Sequence, residues 1–421
     1  MQRVIVKQIF FLLFLAMMLV LIMGIIFYTN LRAQGIALSF DPDWDWDWDW
    51  DDDRVGRRTS LDLRYNRVEG LHIGGRVKKE YWRRRHPRSP FLYGFAGYSF
   101  KAKDFQYQIG LEKGFFEDYR LAFGGEYHRM IDTPDRWIIP SSENSLAAFL
   151  LKEDFHDFYL REGGSGYIVQ NFARNSTLSL TYLYDTLDSL SKNTNWSLFG
   201  GKKEFRDNPL MNVGEIRSVV GRVVFDTRNS VKRTTRGWYI QAEWEHAGNG
   251  LGGKFDFDRL LVDIRRYQPL GFGEGLDFRC RFGTSHGQLP WHRSYHLGGL
   301  STLRGFPYKF LPNGWDNPGG NRMILAQVEY RMGSQDLPDE LDWGILELFN
   351  LILFVDVGWV GNVDDEPQVY EGFKSLTWSG LKSDVGLALA SRSGNVRIQI
   401  ARRTDIGEKP FTFTFRINRP F

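Results

Sequence analysis

The sequence predicts an all-β chain of about sixteen strands forming a transmembrane antiparallel β-barrel. Its basis is a period-2 alternation of apolar and polar residues, in segments of about 8–12 residues, from residue 68 onward. Examples are Phe105–Glu112, Tyr119–Tyr127, Trp238–Glu245, Met323–Arg331 and Val396–Arg402. Alternation alone also fits a soluble sandwich, with polar residues in water and apolar ones in a shared core. Three observations favour the barrel. Aromatic residues sit at segment ends (Tyr81, Trp82, Tyr127, Trp238, Trp244, Trp359), where an interfacial girdle belongs. Arg and Glu recur at polar-face positions within strands (Glu243, Arg265, Arg279, Arg281, Glu329), which a wet lumen tolerates. The last segment places Phe411, Phe413, Phe415 and Ile417 on one face, and the chain stops at Phe421.

Composition agrees. The chain has 421 residues, 44 of them Gly, and is 15% aromatic. Its mean hydropathy of −0.37 is that of a soluble protein. A membrane barrel has the same value, because half of each strand faces a polar lumen. Removing Arg3, Lys7 and Arg32 of the leader from the 54 basic residues leaves 51, against 51 acidic ones. That balance gives no support for a nucleic-acid partner. A single cysteine, Cys280, excludes an intramolecular disulfide.

Taken in order, residues 1–33 read as a signal peptide. Arg3 and Lys7 precede an apolar run from Ile9 to Tyr28, and Ala33 is a small residue near its exit. The run is also long enough to span a bilayer as a retained anchor. Beyond residue 40 no other apolar run of about 18 residues exists, so any mature span is made of strands. Residues 34–66 read as a low-complexity linker, with the Trp-Asp alternation of 43–53 at its centre. At strand period its indoles would share one face, which leaves an interfacial segment as the other reading.

The barrel is expected over 67–421. Strands are expected to start near 68, 91, 104, 119, 166, 177, 195, 217, 237, 256, 274, 321, 349, 381, 395 and 411. Residues 140–159 read as helical, with Ser142 or Ser145 as N-cap, and a second short helix is expected within 335–348.

Between the eleventh and twelfth strands lies a long Gly- and Pro-containing connection. It includes Leu297-Gly298-Gly299-Leu300-Ser301-Thr302-Leu303-Arg304-Gly305-Phe306. Gly298, Gly299 and Gly305 permit it to fold back on itself, and long loops of this kind are usually functional. Further on come Phe354-Val355-Asp356-Val357-Gly358 and the terminal Phe421. Earlier, Val224-Phe225-Asp226-Thr227-Arg228-Asn229 is followed by Arg236-Gly237-Trp238. Read from residues alone, these are lumen charges and a polar hairpin turn.

Together these motifs resemble the outer-membrane protein-assembly and translocation superfamily, the bacterial surface antigen type of barrel. The resemblance is specific over about 215–421 and rests on strand pattern alone before that. It implies a bacterial outer-membrane barrel whose extracellular loop folds into the lumen. There Arg304, Gly305 and Phe306 would form the tip, with Arg304 pairing with Asp356, beside Gly358, and with Glu329. Gly298 and Gly299 would hinge the loop. Asp226, Thr227, Arg228 and Gly237 would cap a strand pair on the periplasmic side. Phe411, Phe413, Phe415, Ile417 and Phe421 would form the signal read by the barrel-assembly machinery. Outer-membrane lipid, lipopolysaccharide and client proteins are the other partners it implies. Relatives that insert or secrete proteins carry folded periplasmic domains, and residues 34–66 leave no room for one. Assisted assembly or secretion of proteins is therefore one expectation, and a passive pore, surface antigen or lipid-handling barrel is the other.

Other chemistries have weaker support. His286, His292 and His296 lie in one connection, but loop spacing does not force them to converge, so no metal is expected. No Gly-x-Ser-x-Gly context surrounds any serine, and neither an enzyme activity nor a cofactor is expected.

Overall fold

The computed structural model describes residues 59–421, apart from 86–87, 117–120, 174, 232, 272, 334–348, 364–371, 374–375, 379, 393 and 406–410. The leader, the Trp-Asp tract and the expected helix of 335–348 lie outside the described residues. Sixteen strands pair strictly in chain order, each antiparallel to the next, as one continuous sheet. They are β1 (Thr59–Asn66), β2 (Gly70–Val77), β3 (Phe91–Ser99), β4 (Asp104–Phe115), β5 (Leu121–Asp132), β6 (Tyr159–Ala173), β7 (Ser176–Ser189) and β8 (Gly214–Asp226). Then follow β9 (Gly237–Ala247), β10 (Phe257–Gly271), β11 (Glu274–Gly287), β12 (Arg322–Met332), β13 (Phe349–Gly361), β14 (Lys382–Ser391), β15 (Arg397–Arg403) and β16 (Thr412–Arg416). Helix α1 (Lys79–Arg85) lies between β2 and β3, and α2 (Ser141–Leu151) between β5 and β6.

The strand faces settle barrel against sandwich. On β4, Phe105, Ile109 and Leu111 are 53%, 59% and 52% exposed, while Gln106 and Glu112 are fully buried. The same inversion holds on β7, where Leu178 and Leu180 are exposed and Ser179, Thr181 and Asp185 buried. A soluble sandwich would show the reverse. Apolar side chains here face lipid, and polar ones face an interior where their hydrogen bonds are met. The chain is thus an all-β transmembrane barrel, as the alternation predicts.

Several elements differ from the sequence reading. Thr59–Asn66 is the first strand, so the barrel begins inside the segment read as linker. Its Leu61/Leu63 alternation is short and flanked by arginines, which hides it. No strand forms near 195. Residues 190–213 lack period-2 character and form an irregular connection, whose Asn193 and Thr194 amides bond to Arg67 O. The gain and the loss cancel, so the numbering of later strands holds. The helix is only Ser141–Leu151; β6 starts at Tyr159, earlier than expected. The N-cap is Pro140, with no side-chain cap bond, in place of Ser142 or Ser145. Trp359 is 8% exposed and packs near Phe373, so it is no part of a lipid-facing girdle.

Candidate functional site

The loop of residues 288–321, between β11 and β12, folds back into the lumen. Its neck is the Leu297–Leu311 bridge, and Gly299 N donates to Leu303 O at 2.8 Å to close a tight turn. Gly298 has φ 136°, and a Cβ there would sit 2.3 Å from Pro307 O, so only glycine fits the hinge. Gly299 follows with φ 72°. An apolar cluster that includes Leu297, Leu303, Phe306, Met323 and Leu325 fixes the loop against the wall.

This places Arg304 where the sequence expects it. Its Nε and Nη2 donate to the two oxygens of Asp356, each at 2.7 Å, and its backbone N–H adds a third bond at 3.2 Å. Nη1 pairs with Glu329. The guanidinium lies 3.5 Å from the centroid of the Phe354 ring and is fully buried. Planar bidentate pairing is what a guanidinium does better than an ammonium. Gly305 and Gly358 allow the tip to reach the wall: a Cβ on Gly358 would meet Leu297 at 2.8 Å, and one on Gly305 would meet Asp384 at 2.7 Å. Phe306 lies under the Arg403 guanidinium, 4.2 Å from ring to charge.

The lock has members that sequence reasoning missed. Arg397 of β15 reaches Glu329 at 3.1 Å, and Gln327 donates to Asp356 at 3.0 Å and to Thr302 O at 2.9 Å. Both occupy inward positions of their strands, so alternation carried the signal once the register was known. The lock therefore spans β12, β13 and β15.

The Asp226 turn is tied to β7 by the Asp226 amide, which donates to Ser176 Oγ at 3.2 Å. Asp226 accepts the Arg228 amide at 2.9 Å and its guanidinium at 2.7 Å, while Thr227 Oγ1 accepts Trp238 N at 3.0 Å. Gly237 has φ 120°. Phe411, Phe413 and Phe415 form an exposed outward row, as expected. The chain end differs from its expected place: β16 stops at Arg416, and Phe421 is 5% exposed and lines the lumen cavity. Arg419 turns it inward by pairing with Asp277 at 2.5 Å.

Among the described residues no ladder joins β1 to β16. Helix α2 stands at this seam. Glu143 accepts Arg416 Nε at 2.7 Å and the Ile417 amide at 3.0 Å, which ties down the chain leaving β16. Two residues on, Ser145 Oγ accepts the Tyr65 amide of β1 at 3.3 Å, and Ala148 packs with Tyr65 and Phe205. Helix side chains thus meet backbone donors at both edges. Neither residue has a motif that would have revealed it.

A second buried charge network joins the loops above the lumen. Lys309, from the β11–β12 loop, pairs with Asp135 at 2.7 Å and Asp157 at 2.5 Å in the β5–β6 connection. Arg67 pairs with Asp154 at 3.0 Å, and Arg206 with Asp157 at 2.5 Å. Burial alone would raise the Asp157 carboxyl, but Arg206, Lys309 and Arg67 hold it well below the usual range.

Comparison with known proteins agrees with this geometry. Residues 215–421 match the Omp85 superfamily domain, and residues 52–284 match the C-terminal domain of a family of unknown function (DUF5686). Outer membrane protein assembly factor BamA of Nitratidesulfovibrio vulgaris is 28% identical over 206 residues, covering 46% of this chain and 24% of that protein. The chain thus spans about a quarter of that relative's length. The crystal structure of BamA from Haemophilus ducreyi lacking POTRA domains 1–3 superimposes with a TM-score of 0.54 at 15% identity, over 85% of this chain and 69% of that one. This likeness concerns the fold. CdiB from Acinetobacter baumannii gives a TM-score of 0.43 at 11% identity, over 86% and 60%.

Proposed function

Because the chain belongs to the DUF5686 family, whose model covers more than half of it, and is an Omp85-type barrel of the bacterial outer membrane, we propose that it inserts or secretes proteins at that membrane. The seam is the observation that carries this reading. Edge strands left without a ladder partner present backbone donors and acceptors to an incoming strand. Here side chains of one short helix occupy such donors at both edges, through contacts that can be exchanged. The lock holds the opposite requirement, a fixed wall beside a movable one. Client proteins are the substrates in this reading, and the chain does no catalysis itself. The outward row Phe411, Phe413 and Phe415 is the part of the chain that the barrel-assembly machinery reads, and outer-membrane lipid with lipopolysaccharide is the surrounding phase.

One observation favours a second reading, a passive or lipid-handling barrel. The loop network of Lys309, Arg67 and Arg206 packs buried ion pairs above the lumen, which suits a closed vessel. The outer-membrane proteome of cells depleted of this protein separates the two. Selective loss of a set of β-barrels or surface proteins is the expected result. An unchanged proteome would reject the insertion reading and leave the passive barrel.

A further inference from the structure

The lumen keeps a cavity of about 560 Å³ beside the lock. Guanidinium groups outnumber carboxylates in and just behind its wall. Arg265, Arg279 and Arg281 converge on the single carboxylate of Asp263, at 3.0, 2.7 and 2.7 Å, a surplus of two charges. Arg222 and Arg259 share Glu243, and Arg293 pairs with Glu245, a surplus of one. Arg331 and Arg419 share Asp277, a further surplus of one. The other acids of the wall, Asp132 and Asp135, are matched by Arg136, Arg161 and Lys309. In these two arginine clusters cations outnumber their paired acids among the described residues.

A second observation points the same way. His292 and His296 line this cavity, are 4% and 6% exposed, and have ring nitrogens with no hydrogen-bond partner among the described residues. Burial pushes His296 down to about 3 and His292 well below its usual value, so both imidazoles are neutral and each carries one N–H donor. Arg259 Nε and Arg281 Nε are likewise buried without a partner. Polar groups buried at such cost are normally satisfied.

We propose that this cavity binds a small ligand carrying two phosphate-type oxyanions, one at each arginine cluster. Arg259 and Asp263 lie four residues apart on one face of β10, which is roughly 13 Å of strand, so the two anionic groups are separated and not adjacent. The volume falls within the range of small-molecule sites, and guanidinium forks suit phosphate oxygens. A free bisphosphate and the phosphorylated headgroup of a lipid offer the same chemistry.

Calorimetric titration of the purified full chain tests this, with fructose 1,6-bisphosphate, inorganic phosphate and short-chain phosphatidylinositol 4-phosphate, whose headgroup carries two phosphates, as probes. Saturable bisphosphate binding about tenfold tighter than inorganic phosphate is expected, weakened about tenfold by Arg259→Gln or by Arg281→Gln. Arg266→Gln, on the outer face of the same strand, should leave it unchanged. Tighter binding of phosphatidylinositol 4-phosphate, competed by the bisphosphate and lost in the same variants, would assign the site to a lipid headgroup. Unboiled gel mobility checks that each variant is folded, and the two arginines test the site independently. Absence of saturable binding of any probe to the wild-type chain would overturn the proposal. So would binding that folded Arg259→Gln and Arg281→Gln variants both retain.

Discussion

The lock at β12–β15 and the seam between β1 and β16 are built from the same materials and held in opposite ways. At the lock, a fully buried guanidinium meets two carboxylates, a third strand contributes Arg397, and continuous ladders run on both sides. At the seam no ladder forms among the described residues, and one helix supplies Glu143 and Ser145 to donors on either side. The lock is over-determined: several bonds must break together before its strands can part. The seam depends on a few side chains whose bonds can open singly. A wall that must stay closed in lipid while one joint can yield requires this asymmetry, since unpaired backbone groups are costly in lipid.

The comparison is broken most severely at the lock. Arg304→Ala leaves Asp356 buried with an unanswered charge, while Glu329 keeps Arg397, a change that costs about 3–5 kcal/mol for a buried pair. The compact, heat-resistant form on unboiled gels should be largely lost, and lost equally in Asp356→Ala. Arg304→Asp combined with Asp356→Arg should restore part of it. Wild-type migration by all three variants would remove the lock from the account.

The seam should respond less in global stability and more in local exchange. Glu143→Ala removes the acceptor of Arg416 and of the Ile417 amide, bonds to a charged group worth about 1.5–3 kcal/mol. Amide hydrogen exchange over 412–418 should speed up, while β12 and β13 stay protected. If the ladders at the lock exchange faster by the same factor, the two regions are one cooperative unit and the contrast fails.

These two regions were not equally legible in the sequence. Arg304, Asp356 and Glu329 could be paired in advance because their motifs resemble a known barrel family; read alone, the residues gave only lumen charges. Glu143 could not, because it sits in an apolar helix with no periodic cue, 273 residues from its partner Arg416. The strand count survived two errors, since β1 was hidden by the arginines that flank its Leu61/Leu63 alternation and residues 190–213 form no ladder. Phe421 misled for a different reason. Its identity suggests a strand end, but Arg419 turns it into the lumen through Asp277, a contact no local pattern encodes. Lys309, Arg67 and Asp157 come from three separate connections, so only the folded chain brings them together.

Acid should loosen the loop network before it touches the lock. His156 is buried, donates from Nε2 to Ile139 O at 2.8 Å, and is pushed by burial from 6.5 down to about 4. The folded state keeps it neutral against the pull of Asp154, with Arg136 and Lys309 acting the same way as burial. The unfolded chain takes up the proton as pH falls below about 6.5, so stability declines between about 6.5 and 4 and levels off below. The loss should reach about 2 kcal/mol by pH 5. A thermal melt series of wild type against His156→Gln checks it: the variant's melting temperature should vary less across this window. Equal slopes would place the acid sensitivity elsewhere.

The smallest effect sharpens the comparison from the other side. Lys203 and Glu153 also form an ion pair between two connections, but both side chains are nearly half exposed, at 47% and 45%. Water screens such a pair and two long side chains lose freedom to make it, so its worth is about 0–1 kcal/mol. Glu153→Ala should shift melting by little and leave exchange at the seam unchanged. If it matched Glu143→Ala instead, burial would not be what separates the two pairs. The number of ion pairs at the loop end would then govern closure, and the asymmetry between lock and seam would be one of count rather than of solvent access.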